Sequence, residues 1–193
     1  MKTITKSSEL RDFCARAVNE KYITIDTEFL RERTYFSKLC LVQLAFPGDE
    51  NAVIVDTLVN DLDLSPLYKI FQNQNIVKVF HAARQDLEIF YFDSGIFPYP
   101  LFDTQIAAMV CGFGDQVAYE TLVRKLAKQT LDKSSRFTDW SRRPLTDAQK
   151  RYALADVTHL RVIYEVLSEQ LIETGRLKWI DEELKNLISS ETY

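Results

Sequence analysis

A chain of 193 residues with 46% apolar content can bury one substantial core and is too short for two ordinary domains. The formal net charge of −4 and a pI of about 5.3 argue against a protein that coats long nucleic acid by counterion release, although a few phosphate contacts remain compatible, since bound cations reverse the sign of an acidic cleft. The opening MKTITKSSELRDFC lacks the apolar stretch of a signal peptide and no run is long enough to span a bilayer, so a soluble cytoplasmic protein without a membrane partner is expected.

Along the chain, Leu10, Phe13, Cys14, Ala17 and Val18 recur at helical spacing and predict an amphipathic helix over 8–19. Three strand-like runs follow at 22–29, 39–46 and 52–56, and the PGDEN turn between the last two predicts an antiparallel hairpin. Ser65 and Pro66 read as a helix start, with the serine as cap and the proline in the first turn. Next come a short buried strand at 76–80, a helix over 82–93 stopped by Gly95, and a helix from Asp103 to about 109. Thr146 and Gln149 form a capping box for a long helix running to about 173, where Gly175 ends it, and 177–188 is a final amphipathic helix. Segment 129–145 is the one long irregular stretch. Strands first, then strands alternating with helices, imply an α/β fold with a mixed sheet flanked by helices.

Cys14, Cys40 and Cys111 are odd in number, far apart and outside any CxxC, so neither a disulfide frame nor a zinc ribbon is indicated. Only His81 and His159 are present, which leaves oxygen ligands, and with them magnesium or manganese, as the fitting metal chemistry.

The first strand, YITIDTEF, puts Ile23 and Ile25 on one face and Asp26 with Glu28 on the other, because side chains alternate along a strand. Two carboxylates sharing one face of an apolar strand repel each other unless a cation or water compensates. In VKVFHAARQDLEIF a strand breaks into a helix carrying Asp86 among the apolar Leu87, Ile89 and Phe90; taken alone, Asp86 reads as a surface acid and His81 as a hydrogen-bonded strand-end histidine. In AQKRYALADVTHL, Tyr152 and Asp156 are four residues apart and share one helix face. A tyrosine hydroxyl is a poor base at neutral pH but can orient a water.

As an ordered set, DxE on the first strand, Asp86 on a middle helix and Yx3D on a late one, these residues resemble the DEDDy 3′-5′ exonucleases, and within them the ribonuclease D catalytic domain. The stretches IDTEFLRERTYFSKLCLVQL, FHAARQDLEIF, LFDTQIA, LDKSSRFTDWSRRPL and YALADVTHL carry the resemblance across nearly the whole chain, in the family's order. Relatives with histidine in place of the tyrosine carry it five residues before the last aspartate, where this chain has Arg151.

The resemblance implies a ribonuclease H-like fold and a single exonuclease domain over 1–193. It implies catalysis by Asp26, Glu28, Asp86, Tyr152 and Asp156, the four acids holding two divalent cations, Mg2+ or Mn2+, and Tyr152 aiming a water. Asp26, Glu28 and Asp156 would bind one ion, and Asp26 with Asp86 the other. The implied reaction is hydrolysis from RNA 3′ ends with release of nucleoside 5′-monophosphates.

Phe29 and Leu30 are candidates to stack on or wedge beside the terminal base. Arg31, Arg33, Lys38, Lys133, Arg136, Arg142 and Arg143 are candidates to track phosphates, with Lys133 and Arg136 foremost. Gln43, Asp103 and Trp140 also match family positions, with hydrogen bonding, helix capping and loop packing as expected jobs. Full-length ribonuclease D proteins add helical nucleic-acid-binding domains after the catalytic core, and this sequence ends at Tyr193 without one, so short single-stranded substrates are expected. The alternatives are a proofreading-type DNA or short-oligonucleotide exonuclease, and a nucleic-acid-binding module without catalysis.

Overall fold

The computed structural model describes residues 1–31 and 36–193; Arg33 lies outside the described residues. A short strand, β1 (Lys2–Ile4), precedes α1 (Ser7–Ala17), which buries Leu10, Phe13, Cys14 and Ala17 as the periodicity requires. Val18, counted on that stripe, sits past the helix end and is 48% exposed. There follow β2 (Tyr22–Leu30), β3 (Lys38–Ala45), β4 (Ala52–Asp56), α2 (Ser65–Gln72), β5 (Val77–Phe80), α3 (Arg84–Ser94), β6 (Leu101–Asp103) and α4 (Thr104–Val110). The short α5 (Tyr119–Leu122) runs into a π-helical turn, Val123–Ala127, and the long α6 (Asp147–Glu173) and α7 (Trp179–Leu187) complete the chain. Among the described residues, no helix is long and apolar enough to cross a membrane.

The six strands form one mixed sheet in the order β1-β4-β3-β2-β5-β6. β2, β3 and β4 are antiparallel, including the hairpin expected at PGDEN, while β1, β5 and β6 each run parallel to a neighbour. β1 and β6 were not foreseen, because three residues are too few to display an alternation.

Alternation divides the sheet chemically. Ile23, Ile25, Val42, Leu44, Val53 and Val55 belong to the main core with the buried faces of α1 and α2. Thr24, Asp26, Glu28, Leu41, Gln43, Ile54 and Asp56 fall on the opposite face by parity and register. That second face is roofed by α6, whose Val157 carbonyl accepts the Thr24 hydroxyl at 2.8 Å, and by segment 129–145, whose Trp140 and Leu145 pack with Leu41, Ile54 and Ala153.

Three helix starts show which side chains set the frame. Thr146 and Gln149 form the expected capping box at the head of α6. Ser65 is not the cap of α2: it is the first helical residue, and Asp63 accepts its N–H at 2.8 Å and its hydroxyl at 2.9 Å. α3 begins at Arg84 rather than 82, because Ala82 holds a left-handed φ of 55°. That conformation costs a non-glycine residue on the order of 1 kcal/mol, and here Asp103 offsets the cost by accepting the N–H groups of Ala82 at 3.0 Å and Ala83 at 2.8 Å. Asp103 also caps α4 as expected, through the Gln105 N–H at 2.7 Å.

Arg143 does not reach out for phosphate. Its guanidinium clamps Asp56 with two bonds of 2.6 Å and donates to the carbonyls of Trp140 at 2.7 Å and Cys40 at 3.1 Å, which locks segment 129–145 onto β3 and β4. Replacing Arg143 by Leu removes the cation from Asp56 and a donor from the carbonyls of Trp140, Arg142 and Cys40, and is expected to destabilise the fold by roughly 2–4 kcal/mol. In urea denaturation, adding Asp56→Leu to that variant should recover part of the loss; strict additivity of the two changes would show that the pair does not act as a unit.

Candidate active site

β2 is an interior strand, paired with β5 over Tyr22–Thr24 and with β3 from Thr24 to Leu30, so the ladder with β3 is the rail that carries its acids. Asp26 and Glu28 leave that rail on one face, where α6 brings the buried Asp156 against them. Carboxylate oxygens of Asp26, Glu28 and Asp156 all lie within 4.8 Å of one another. Tyr152, one helical turn before Asp156, stands on the same cleft with its ring 6.0 Å from that of Trp140.

Asp86 arrives from the opposite side, in the first turn of α3, and accepts the Thr27 hydroxyl on its Oδ1. It is buried on the cleft wall and stands outside the group of three. The cleft measures about 540 Å³ and is lined by the acids, Phe29, His81, Gln85, Arg136, Phe137 and Tyr152, among others. Alternation sends Thr27 and Phe29 to the face opposite Asp26 and Glu28, yet all four line the cleft, because the pairing of β2 with β5 ends at Thr24 and leaves that edge of the strand open beyond it.

The electrostatics follow from this crowding. Burial pushes the Asp26 carboxyl up to about 6. Burial, and then the charges of Asp26, Asp156 and Asp86, push Glu28 up to about 10. Asp86 and Asp156 rise well above the usual carboxylate range, each through burial first and Asp26 second. Arg136 is the cation that counters Asp156. An all-carboxylate donor set that cannot ionise fully by itself suits hard divalent cations such as Mg2+ and Mn2+.

The substrate-binding candidates separate. Phe29 and Arg136 line the cleft, with the Arg136 guanidinium 5.2 Å from the Phe137 ring. Leu30 packs against the cluster formed by Leu41, Ile54 and Trp140, and Lys133 pairs with Glu120. Arg31 bridges to Glu88 at 2.9 Å, Arg142 lies 3.6 Å from Asp139, and Lys38 is exposed on β3. Trp140 packs the loop as expected, but the amide of Gln43 makes no hydrogen bond.

Several residues of the site carried no signal in the sequence. Thr27 points away from its two acidic neighbours by alternation, yet holds Asp86. Phe137, 90% exposed, forms part of the cleft rim. Tyr119 donates its hydroxyl to the main-chain carbonyl of Asp156 and faces the N–H of Leu160, entering the α6 ladder at the turn that presents the acid. His81, paired with the Thr104 hydroxyl at 3.0 Å, stacks obliquely on Tyr119 and also lines the cleft.

The class these features define is a carboxylate-lined site for hard divalent cations, set on a mixed sheet between helices. The chain belongs to the 3′-5′ exonuclease family, whose model matches residues 1–172. Ribonuclease D of Jannaschia sp. (strain CCS1) is 65% identical over 193 residues, covering 99% of this chain and 50% of its own length. The crystal structure of Escherichia coli RNase D, an exoribonuclease involved in structured RNA processing, matches with a TM-score of 0.91 at 37% identity, over 96% of this chain and 49% of that one. Brucella melitensis NrnC with bound Mg2+ matches with a TM-score of 0.78 at 26% identity, over 96% of this chain and 87% of that one. The same protein bound to pGG gives 0.78 at 27% identity, over 96% and 86%. The chain spans about half the length of the curated relatives it matches. The expected ribonuclease H-like exonuclease fold is therefore the one observed.

The raised carboxyl groups fix the sign of a pH effect. Groups whose folded-state pKa lies above the unfolded value stabilise fully below the unfolded pKa and lose that contribution as pH rises through the folded one. Without divalent metal, the melting temperature should therefore fall between pH 5 and pH 8 as Asp26 and its neighbours are forced to ionise. Millimolar Mg2+ or Mn2+ should flatten that fall and raise the melting temperature at pH 8. A metal-free melting curve independent of pH, or no shift with either ion, would contradict the cluster's electrostatics.

Proposed function

We propose that this chain forms the catalytic core of a 3′-5′ exoribonuclease that removes nucleoside 5′-monophosphates from single-stranded RNA ends with the help of two divalent cations. The observation that supports it most is the convergence of Asp26, Glu28 and Asp156 oxygens within 4.8 Å, with Asp86 on the facing wall. In this reading Asp26, Glu28 and Asp156 hold one cation and Asp26 with Asp86 the second. When bound, such ions neutralise the carboxylates and supply Lewis acidity to the scissile phosphate and the departing 3′ oxygen. Mg2+ is the favoured ion, on the hardness of the donors and on its presence in NrnC, with Mn2+ as a substitute.

The chain's own groups divide the remaining work. Burial, Asp156 and Glu28 raise the Tyr152 pKa, so the phenol stays protonated at neutral pH. It therefore acts by orienting the attacking water through its hydroxyl rather than by taking a proton. The water oxygen bonds to phosphorus as the P–O3′ bond breaks, and a proton passes to the leaving hydroxyl. Arg136 meets phosphate charge at the cleft mouth, and Phe29 offers a ring to the terminal base. A cleft of about 540 Å³ has the scale of a small-ligand pocket, generally about 300–1,000 Å³, which suits a strand end better than a duplex. RNA is favoured as substrate by the name ribonuclease D shared by the curated relatives.

A time course on RNA oligomers separates the possibilities. With Mn2+ present, a 3′-labelled RNA should release labelled mononucleotide at once, while a 5′-labelled one shortens stepwise. Asp26→Asn should lower the rate by roughly a thousandfold or more. Tyr152→Phe should lower kcat on the order of a hundredfold while leaving the Mn2+ dependence of the melting temperature unchanged. Immediate loss of a 5′ label would reverse the polarity, faster cleavage of a matched DNA oligomer would reassign the substrate, and retention of both labels alongside tight RNA binding would leave a binding module.

A further inference from the structure

Gln43 stands directly across from Asp26 in the antiparallel ladder of β2 and β3. Paired residues in such a ladder leave the sheet on the same side, with Cβ atoms about 4.5–5.5 Å apart. The side chain is completely buried, and neither its amide oxygen nor its amide nitrogen has a hydrogen-bond partner. A desolvated amide left unsatisfied is destabilising. Its same-face neighbours Leu41, Ala45 and Ile54 are apolar and fully buried, so a leucine or methionine would suit this position by packing alone.

A buried amide without a protein partner, facing an acid cluster across the ladder, has a carboxylate as its nearest candidate acceptor. The main-chain N–H of Thr27 lies near the Asp26 carboxyl and lowers its pKa, and a carboxylate has acceptor capacity for further donors. We propose that Gln43 is a positioning residue of the metal site, its Nε2–H donating to the Asp26 carboxylate, directly or through one trapped water, when that carboxylate holds a cation. The bond fixes the orientation in which Asp26 presents its oxygens. Outer partners of ligating carboxylates commonly matter to metal affinity by about 10- to 100-fold. This inference rests on the metal-site reading above.

The test uses Gln43→Met and Gln43→Leu, two apolar replacements of different shape, with thermal melting titrated over millimolar Mn2+ in the absence of nucleic acid. Metal-free melting temperatures should be equal to or above the wild-type value in at least one variant, because an unsatisfied amide has been removed. In that same variant the Mn2+ concentration giving half the maximal shift should rise roughly tenfold. An unchanged Mn2+ response would overturn the inference. So would a lower metal-free melting temperature in both variants, as expected if the amide serves the fold itself, for instance through water to the unpartnered indole N–H of Trp140. Absence of any Mn2+ response in the wild type would sink the metal-site reading first and this inference with it.

Discussion

Negative charge confined to a small volume is the constraint around which this molecule is arranged. Three carboxyl groups with oxygens inside 4.8 Å, and a fourth on the facing wall, repel one another and lose hydration at the same time. Left to relax, such groups would swing apart into water. They stay together because each is mounted on a regular element: Asp26 and Glu28 on β2 where it is laddered to β3, Asp156 in a 27-residue helix, and Asp86 at the head of α3. On the proposed metal-site reading, the energy stored in that crowding is what bound divalent cations would release.

The rigidity itself comes from contacts made by residues outside the acid motifs. Asp103 holds the left-handed turn at Ala82 and so aims α3, with Thr27 fixing Asp86 from the strand. Thr24 and Tyr119 bond two successive carbonyls of α6, those of Val157 and Asp156, and tie that helix to the sheet and to the cleft wall. Arg143 clamps segment 129–145 to Asp56, which keeps Trp140 under Tyr152 and places Arg136 and Phe137 at the cleft mouth. Much of this network lies on one face of the sheet, while the other face carries a conventional apolar core.

The family relationship adds a comparison of scale. The ribonuclease D relatives are about twice the length of this chain, whereas it covers 87% of the Mg2+-bound NrnC structure. The shared part is the sheet and its flanking helices.

Much of this was legible in the residues. Alternation in YITIDTEF placed the two acids on one face, helical spacing placed Tyr152 beside Asp156, and local chemistry located the capping box of α6, the hairpin turn and the stop at Gly95, because each depends on neighbours within a few positions. The resemblance to a family then assembled acids that no local rule connects. The tertiary structure alone decided which basic groups reach the cleft, turning Arg143 and Lys133 toward Asp56 and Glu120 and leaving Arg136 at its mouth. It alone showed Tyr119 entering the α6 ladder, Asp103 steadying Ala82, and Gln43 buried without a partner opposite Asp26. The reason is one of distance: periodicity reports the face a side chain occupies, but hydrogen bonds and ion pairs form between atoms a few ångströms apart in space, and for these residues the partners are separated by 13 to 87 positions along the chain.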